Sequence, residues 1–513
     1  MSFFESLVAL LAVAILLLQV SRRAAVPYPA MLAAAGVGLA LIPGAPQIHL
    51  DPHLALALFI APVLVDAAFD FPLGAVRRYW RPLVALAIVA VLLSAGAVMA
   101  LGVAVAGLPL YAALALGAIV APPDAAAATA VLSQVNMPRR SVTVLKGESL
   151  LNDATALLLF GAAIAVHGQG EIDGKLAIQI GLAAPGGLLL GVVLARFFRW
   201  LTPMVTGTLG GHLLEFVTSF GVWIIAERLH LSPILCLVAF AMTIARTAGL
   251  STPPRSRIHS FAVWDTAVFL LNVLAFLLMG LQARTIIAAM PRERLAEAAS
   301  FAGMVVVCVI VVRLVWVLLF NRLAARFQFV RGDSDAAPFR QAVLVGWCGM
   351  RGLVTMATAF ALPTDFPQRD LIVLTAFAVV LATLVVQGLT LRPLVKLLKL
   401  DGETDLPAEL AATRAAMASA ALAGLGDQYD PAANHWRFAL EARTTSIVPP
   451  DTSAAWERWR TLGLKATRLQ RERLDELRHS DGVGPDAFLI LQEELDFTEA
   501  ALASDSARHI EEN

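Results

Sequence analysis

Through residue 397 the apolar residues fall in long continuous runs rather than in alternation with polar ones. A bilayer-spanning helix needs about 20 such residues, with roughly 17–25 tolerated. Windows of that length find thirteen runs, near 4–20, 26–43, 54–70, 82–106, 110–133, 148–167, 176–199, 211–228, 232–249, 261–281, 300–321, 340–361 and 371–397. Continuous apolarity excludes spanning strands, whose faces alternate. The pattern predicts an all-α polytopic membrane protein with about thirteen transmembrane helices over residues 1–400. Beyond residue 400, helical runs of mixed polarity near 407–424, 453–479 and 486–503 are separated by Pro, Gly and Asp. They predict a helical domain over 401–513. Trp456 and Trp459 share a helix face there, suited to core packing or to docking on a partner or membrane surface.

Composition agrees. Of 513 residues, 58% are hydrophobic and 15% charged, against about 25% charged in soluble domains. That excludes a soluble enzyme or a nucleic-acid binder as a reading of the whole chain. The net charge of zero conceals an asymmetry. Residues 1–400 hold 28 Lys/Arg against 18 Asp/Glu, and residues 401–513 hold 11 against 21. Connections on one side of the thirteen runs carry 17 Lys/Arg, including Arg77, Arg78, Arg81, Arg139, Arg140, Arg322 and Arg326, and those on the other side carry six. Cytoplasmic loops are the Lys/Arg-rich ones, so the amino terminus is expected outside the cell membrane, with the acidic, regulatory 401–513 domain in the cytoplasm. The first run lacks a basic n-region and reads as a retained helix. Cys236, Cys308 and Cys348 lie singly in apolar stretches, a spacing that suits neither disulfides nor zinc. No cofactor is expected.

The chemistry lies in charges that a bilayer should not contain. The runs include Asp66, Asp124, Glu148, Asp153, Glu227, Arg313 and Arg351. At roughly 2.5–3.5 kcal/mol each, they would cost on the order of 20 kcal/mol if uncompensated. Ion pairs, protonation or a water-filled cavity must offset this, which points to a transporter or channel. Glu148, Ser149, Asn152 and Asp153 are spaced to line one helix face. Their hard oxygens suit an alkali cation, although a satisfied polar network between helices would look the same. Pro122 and Pro123 precede Asp124 inside one run and remove two backbone N–H groups. A helix break there would free carbonyls near Gly117–Ile119, although a simple kink is the milder outcome. Gly346, Gly349 and Gly352 surround Arg351 in the twelfth run and loosen that helix too. If the first and last six runs are inverted repeats, the two interrupted segments occupy equivalent positions, a pointer to a transporter's substrate site.

These segments resemble the monovalent cation/proton antiporters of the NhaP type, the family that includes the animal sodium/proton exchangers. Gly147 through Asp153 looks like that family's G-E-S-x-x-N-D helix, and Gly117 through Asp124 like its unwound segment. Ala226 through Ser232, the span carrying Phe261, Trp264, Asn272, Phe276 and Gly280, the Gly349-Met-Arg351-Gly352 segment and Val386-Gln387-Gly388 are similar to further family motifs in the same order. The resemblance implies a homodimer with a moving core that exchanges Na⁺, or Li⁺ or K⁺, for H⁺. It places cation and proton carriage on Asp153, with Asp124 and Ser149 completing the ion shell and Asn152 holding its geometry. It maps an ion pair onto Glu148 and Arg351, and its N-D rather than D-D pair implies electroneutral exchange. One departure stands out: Pro123 occupies the position of a threonine that often helps ligate the ion, which puts the choice of cation in doubt. A cation channel is the main rival, but no filter-like run is present. A membrane enzyme is disfavoured, because G-x-S-x-G fails at Leu151.

Overall fold

The computed structural model describes residues 3–24, 28–40, 52–124, 139–169, 174–205, 209–251, 254–289, 292–331, 336–400, 406–425, 431–444, 450–479 and 485–502, and every regular element among them is a helix. The chain divides into two compact units, Met1–Glu403 and Thr404–Asn513.

The first unit contains α1 (Phe3–Ala24), α2 (Tyr28–Ala40), α3 (Pro52–Asp70) and α4 (Leu73–Val84). The last continues through a π-helical turn, Ala85–Ala90, into α5 (Val91–Ala106). Then come α6 (Leu110–Val120), α7 (Arg139–Gln169), α8 (Gly174–Leu201), α9 (Leu209–Arg228), α10 (Pro233–Ser251), α11 (Pro254–Ala289), α12 (Arg292–Arg326), α13 (Phe339–Trp347), α14 (Leu353–Phe360) and α15 (Arg369–Leu397). Among the described residues, six stretches are long and apolar enough to cross a membrane: Gly74–Ala106, Arg140–Gly168, Gly181–Leu201, Arg257–Leu278, Leu295–Arg326 and Arg369–Leu397. Val8–Ser21, Tyr28–Gly38, Leu110–Val120 and Pro233–Arg246 are shorter apolar helices.

Local chemistry sets several boundaries. Gly107 ends α5 in the left-handed region at φ 60°, where the Leu108 N–H reaches the Gly102 carbonyl at 3.1 Å. Pro109 then precedes the first turn of α6. The Ala85 carbonyl in the π turn accepts the Trp316 indole N–H at 2.8 Å and so ties this turn to α12. Small residues let backbones approach closely, as expected where lipid removes the hydrophobic drive between helices. A Cβ on Gly280 of α11 would lie 2.7 Å from Gly36 Cα of α2.

The apolar interior falls into two main clusters. α7 gives Val144, Leu145 and Phe160 to one, and Leu150 and Ala154 to the other. α14 is likewise divided, with Met356 and Ala359 in the first and Leu353 and Ala357 in the second. The polar residues of both segments therefore lie where the two clusters meet.

The second unit holds α16 (Leu406–Leu425), α17 (Pro431–Thr444), α18 (Pro450–His479) and α19 (Pro485–Leu502). The sequence pattern misses α17, whose apolar residues are mixed with His435 and Arg437. Trp456 stacks on Trp459 at 4.9 Å between centroids and meets Phe438 of α17 at 6.5 Å, while Trp459 is exposed.

Candidate ion site

Two interrupted segments meet in the interior of the first unit. α6 stops at Val120, and Ala121 through Asp124 is non-helical. The part of the predicted fifth run beyond Asp124 lies outside the described residues. The twelfth run is two half-helices, α13 and α14, separated by the non-helical Cys348 through Gly352. The prolines and glycines account for both breaks, since neither segment can keep an unbroken ladder of backbone hydrogen bonds.

The breaks satisfy one another. The Asp124 N–H donates to the Met350 carbonyl at 2.7 Å, and the Leu353 N–H at the start of α14 donates to Asp124 Oδ2 at 2.8 Å. A carboxylate thus sits at the positive end of a half-helix. Conversely, the fully buried Arg351 donates from Nε to the Val120 carbonyl at 3.1 Å and from Nη2 to that of Ala121 at 3.3 Å, with Nη1 on Gly349 O. A cation sits at the negative end of α6. A Cβ at Gly352 would collide with the Asp124 carboxylate, so only glycine lets the segments approach this closely.

Two expectations need correction. The carbonyls used at the first break are those of Val120, Ala121 and Pro123, while Gly117 keeps its helical bond to the Ala121 N–H at 3.0 Å. Pro122 and Pro123 have no N–H, so within the expected stretch it is the carbonyls of Ala118 and Ile119 that lose their helical donors. Nor does Glu148 pair with Arg351. Both Glu148 oxygens engage Arg313 of α12, one at 2.9 Å, and Arg313 also donates to the Val345 carbonyl at 3.2 Å. Each guanidinium nitrogen of Arg351 donates to a backbone carbonyl, and the neighbouring buried Arg313 takes the carboxylate.

Beside this crossing, α7 presents Asn152 and Asp153, 0% and 4% exposed. Asn152 Nδ2 donates to the Pro123 carbonyl at 2.7 Å, joining α7 to the first break, and its Oδ1 has no protein partner among the described residues. Asp153 lies within electrostatic range of Asp124. Ser149 is half-buried on α7. Asp66 is half-buried on α3, whereas Glu227 occupies the last turn of α9 and is exposed on the protein surface. Thr383 was not foreseen: its hydroxyl accepts the Arg351 N–H at 3.0 Å and donates to the Val379 carbonyl at 2.8 Å. A threonine in an apolar helix carries no signal of such a role.

A buried and a half-buried carboxylate, an amide oxygen without a protein partner among the described residues, and helix ends of both signs are a chemistry suited to a small hard cation or a proton. The transmembrane profile of the sodium/hydrogen exchangers matches residues 8–397. The chain is a member of the sodium/hydrogen exchanger family. An uncharacterised Na⁺/H⁺ exchanger of Mycobacterium bovis is 29% identical over 92% of this chain and 89% of its own length. A sodium, potassium, lithium and rubidium/H⁺ antiporter of Bacillus pumilus is 31% identical over 71% of this chain and 57% of its own. The fold resembles that of the sodium proton antiporter MjNhaP1 from Methanocaldococcus jannaschii, with a TM-score of 0.57 at 17% identity, covering 78% of this chain and 100% of that one. The exchanger is accordingly a multi-pass membrane protein whose family and fold are those of cation/proton antiporters.

Proposed function

We propose that this exchanger swaps one monovalent cation, Na⁺ before Li⁺ or K⁺, for one H⁺, with both competing for Asp153. The supporting observation is the placement of Asp153: buried, near Asp124, and beside an asparagine whose amide oxygen has no protein partner among the described residues. Asp124, Ser149 and Asn152 Oδ1 would supply further oxygens. Burial disfavours the ionised carboxylate, while a bound cation favours it. If the site reorients only when neutralised by one or the other, leak is suppressed and exchange is obligatory. One carboxylate carrying either ion makes the cycle electroneutral. Each pH unit is then worth about 1.4 kcal/mol, the same as a tenfold cation ratio.

The same reading includes thirteen spans in two inverted repeats, with α6 and the α13–α14 pair as equivalent broken segments. It also includes a homodimer, an amino terminus outside, and an acidic cytoplasmic domain over 401–513 that shifts the pH profile of exchange. A K⁺/H⁺ antiporter is the second reading. Pro123 offers only a backbone carbonyl, and that oxygen already accepts a hydrogen bond from Asn152, so the shell has fewer oxygens to enforce a small ion.

Proteoliposomes with an internal pH dye test this directly. Asp153→Asn should abolish Na⁺-, Li⁺- and K⁺-driven proton movement while the protein elutes and melts like wild type. Sustained cation-dependent proton flux by that variant would refute the assignment.

A further inference from the structure

One surface of the first unit is unused by the exchange chemistry. A narrow, open-sided cleft lies between α4, the π turn, α7, α12 and α13. Leu86, Val144, Val317, Phe320 and Val345 make its walls apolar, and Arg140, Ser141, Asn321 and Gln341 add polar groups to the lining.

Around the same helix ends, arginines and aromatic rings interleave. Arg81 lies over Trp80 at 5.2 Å and over Phe329 at 5.6 Å, and donates to the Gln328 carbonyl at 3.2 Å. Arg78 and Arg140 lie over Tyr79 at 5.6 and 5.8 Å. Trp80, Phe327, Phe329 and Phe339 are all exposed, Phe329 by 87%. The segments 73–86, 139–147, 314–331 and 336–347 contain neither Asp nor Glu.

We propose that this surface binds an anionic phospholipid, with its phosphate headgroup on Arg81 and Arg140 and one acyl chain in the cleft. Guanidinium groups suit phosphate because their planar fork can donate two hydrogen bonds to it. Ring contacts hold those planes in place before the lipid arrives. The exposed rings decide against an acidic polypeptide as the occupant. Charge pairing would need the arginines alone, whereas Trp and other amphipathic rings gather where headgroups meet acyl chains. Basic pockets between spanning helices hold anionic headgroups for the same reason.

The test uses the full-length protein in detergent, with native mass spectrometry after equal additions of phosphatidylglycerol and phosphatidylcholine of the same chain length. Phosphatidylglycerol should be retained at least about tenfold better, and Arg81→Gln combined with Arg140→Gln should remove roughly that preference. Ala337→Phe, which keeps both arginines but fills the cleft, should also displace the lipid. Equal retention of the two lipids would overturn the proposal, as would preference unchanged in both variants. So would crosslinks from the Arg81 segment to residues 404–513 that added phosphatidylglycerol does not weaken, since they would put the acidic domain in the lipid's place.

Discussion

Arg313 and Arg351 both pack against Gly349, yet they are neutralised differently. Arg313 meets a carboxylate from another helix, Glu148, in a two-pronged ion pair. Arg351 spends its donors on the carbonyls of Val120, Ala121 and Gly349. The first arrangement joins two continuous helices. The second plugs the negative end of a broken one, leaving Asp124 to take the positive end of the other. The contrast teaches that a buried cation here need not mark a charge partner. It can equally be the substitute for a missing backbone donor.

Substitutions separate the two roles, and the largest effect should come from Arg351. Arg351→Met leaves three carbonyls without their donor, at about 1–3 kcal/mol each, so thermal unfolding in detergent should show severe destabilisation together with loss of exchange. A stable variant would mean that water can replace the guanidinium. Next comes Glu148→Leu, which strands the buried Arg313 and should cost about 3–5 kcal/mol. Adding Arg313→Leu should recover much of that loss, because the stranded charge is gone. If the double variant is instead less stable than the single one, Arg313 has a further role beyond the pair.

The smallest effect should come from an exposed counterpart in the second unit. Arg471 of α18 contacts Asp496 at 2.7 Å and Glu499 at 2.6 Å on α19, with all three side chains about a third or more exposed. These partners raise the Arg471 pKa above its ordinary value, which has no consequence near neutrality because arginine is protonated there in any case. Arg471→Ala should therefore lower stability by no more than about 1 kcal/mol, and high salt should shrink the difference. A loss comparable with that of Glu148→Leu would show that exposure does not distinguish these pairs.

Much of this was legible in the residues. Pro122, Pro123 and the glycines around Arg351 marked both breaks, because missing N–H groups and missing side chains act locally. The face carrying Glu148, Ser149, Asn152 and Asp153 followed from helical spacing. Long-range choices were not legible. Glu148 and Arg313 are 165 positions apart, and two buried arginines were available to one carboxylate. Which of them paired depended on Arg351 being held by carbonyls, and only the packing of α6 against the α13–α14 break reveals that. Glu227 belongs to an apolar run by composition, but its place in the last turn of α9 leaves it exposed.

The most direct test of competition at Asp153 is the dependence of the apparent KM for Na⁺ on pH, measured in proteoliposomes at zero membrane potential. Competition predicts that KM rises about tenfold for each unit of acidification below the carboxyl pKa, while the maximal rate stays constant. A KM independent of pH, with the maximal rate falling instead, would mean that protons act at another group and would contradict a shared site.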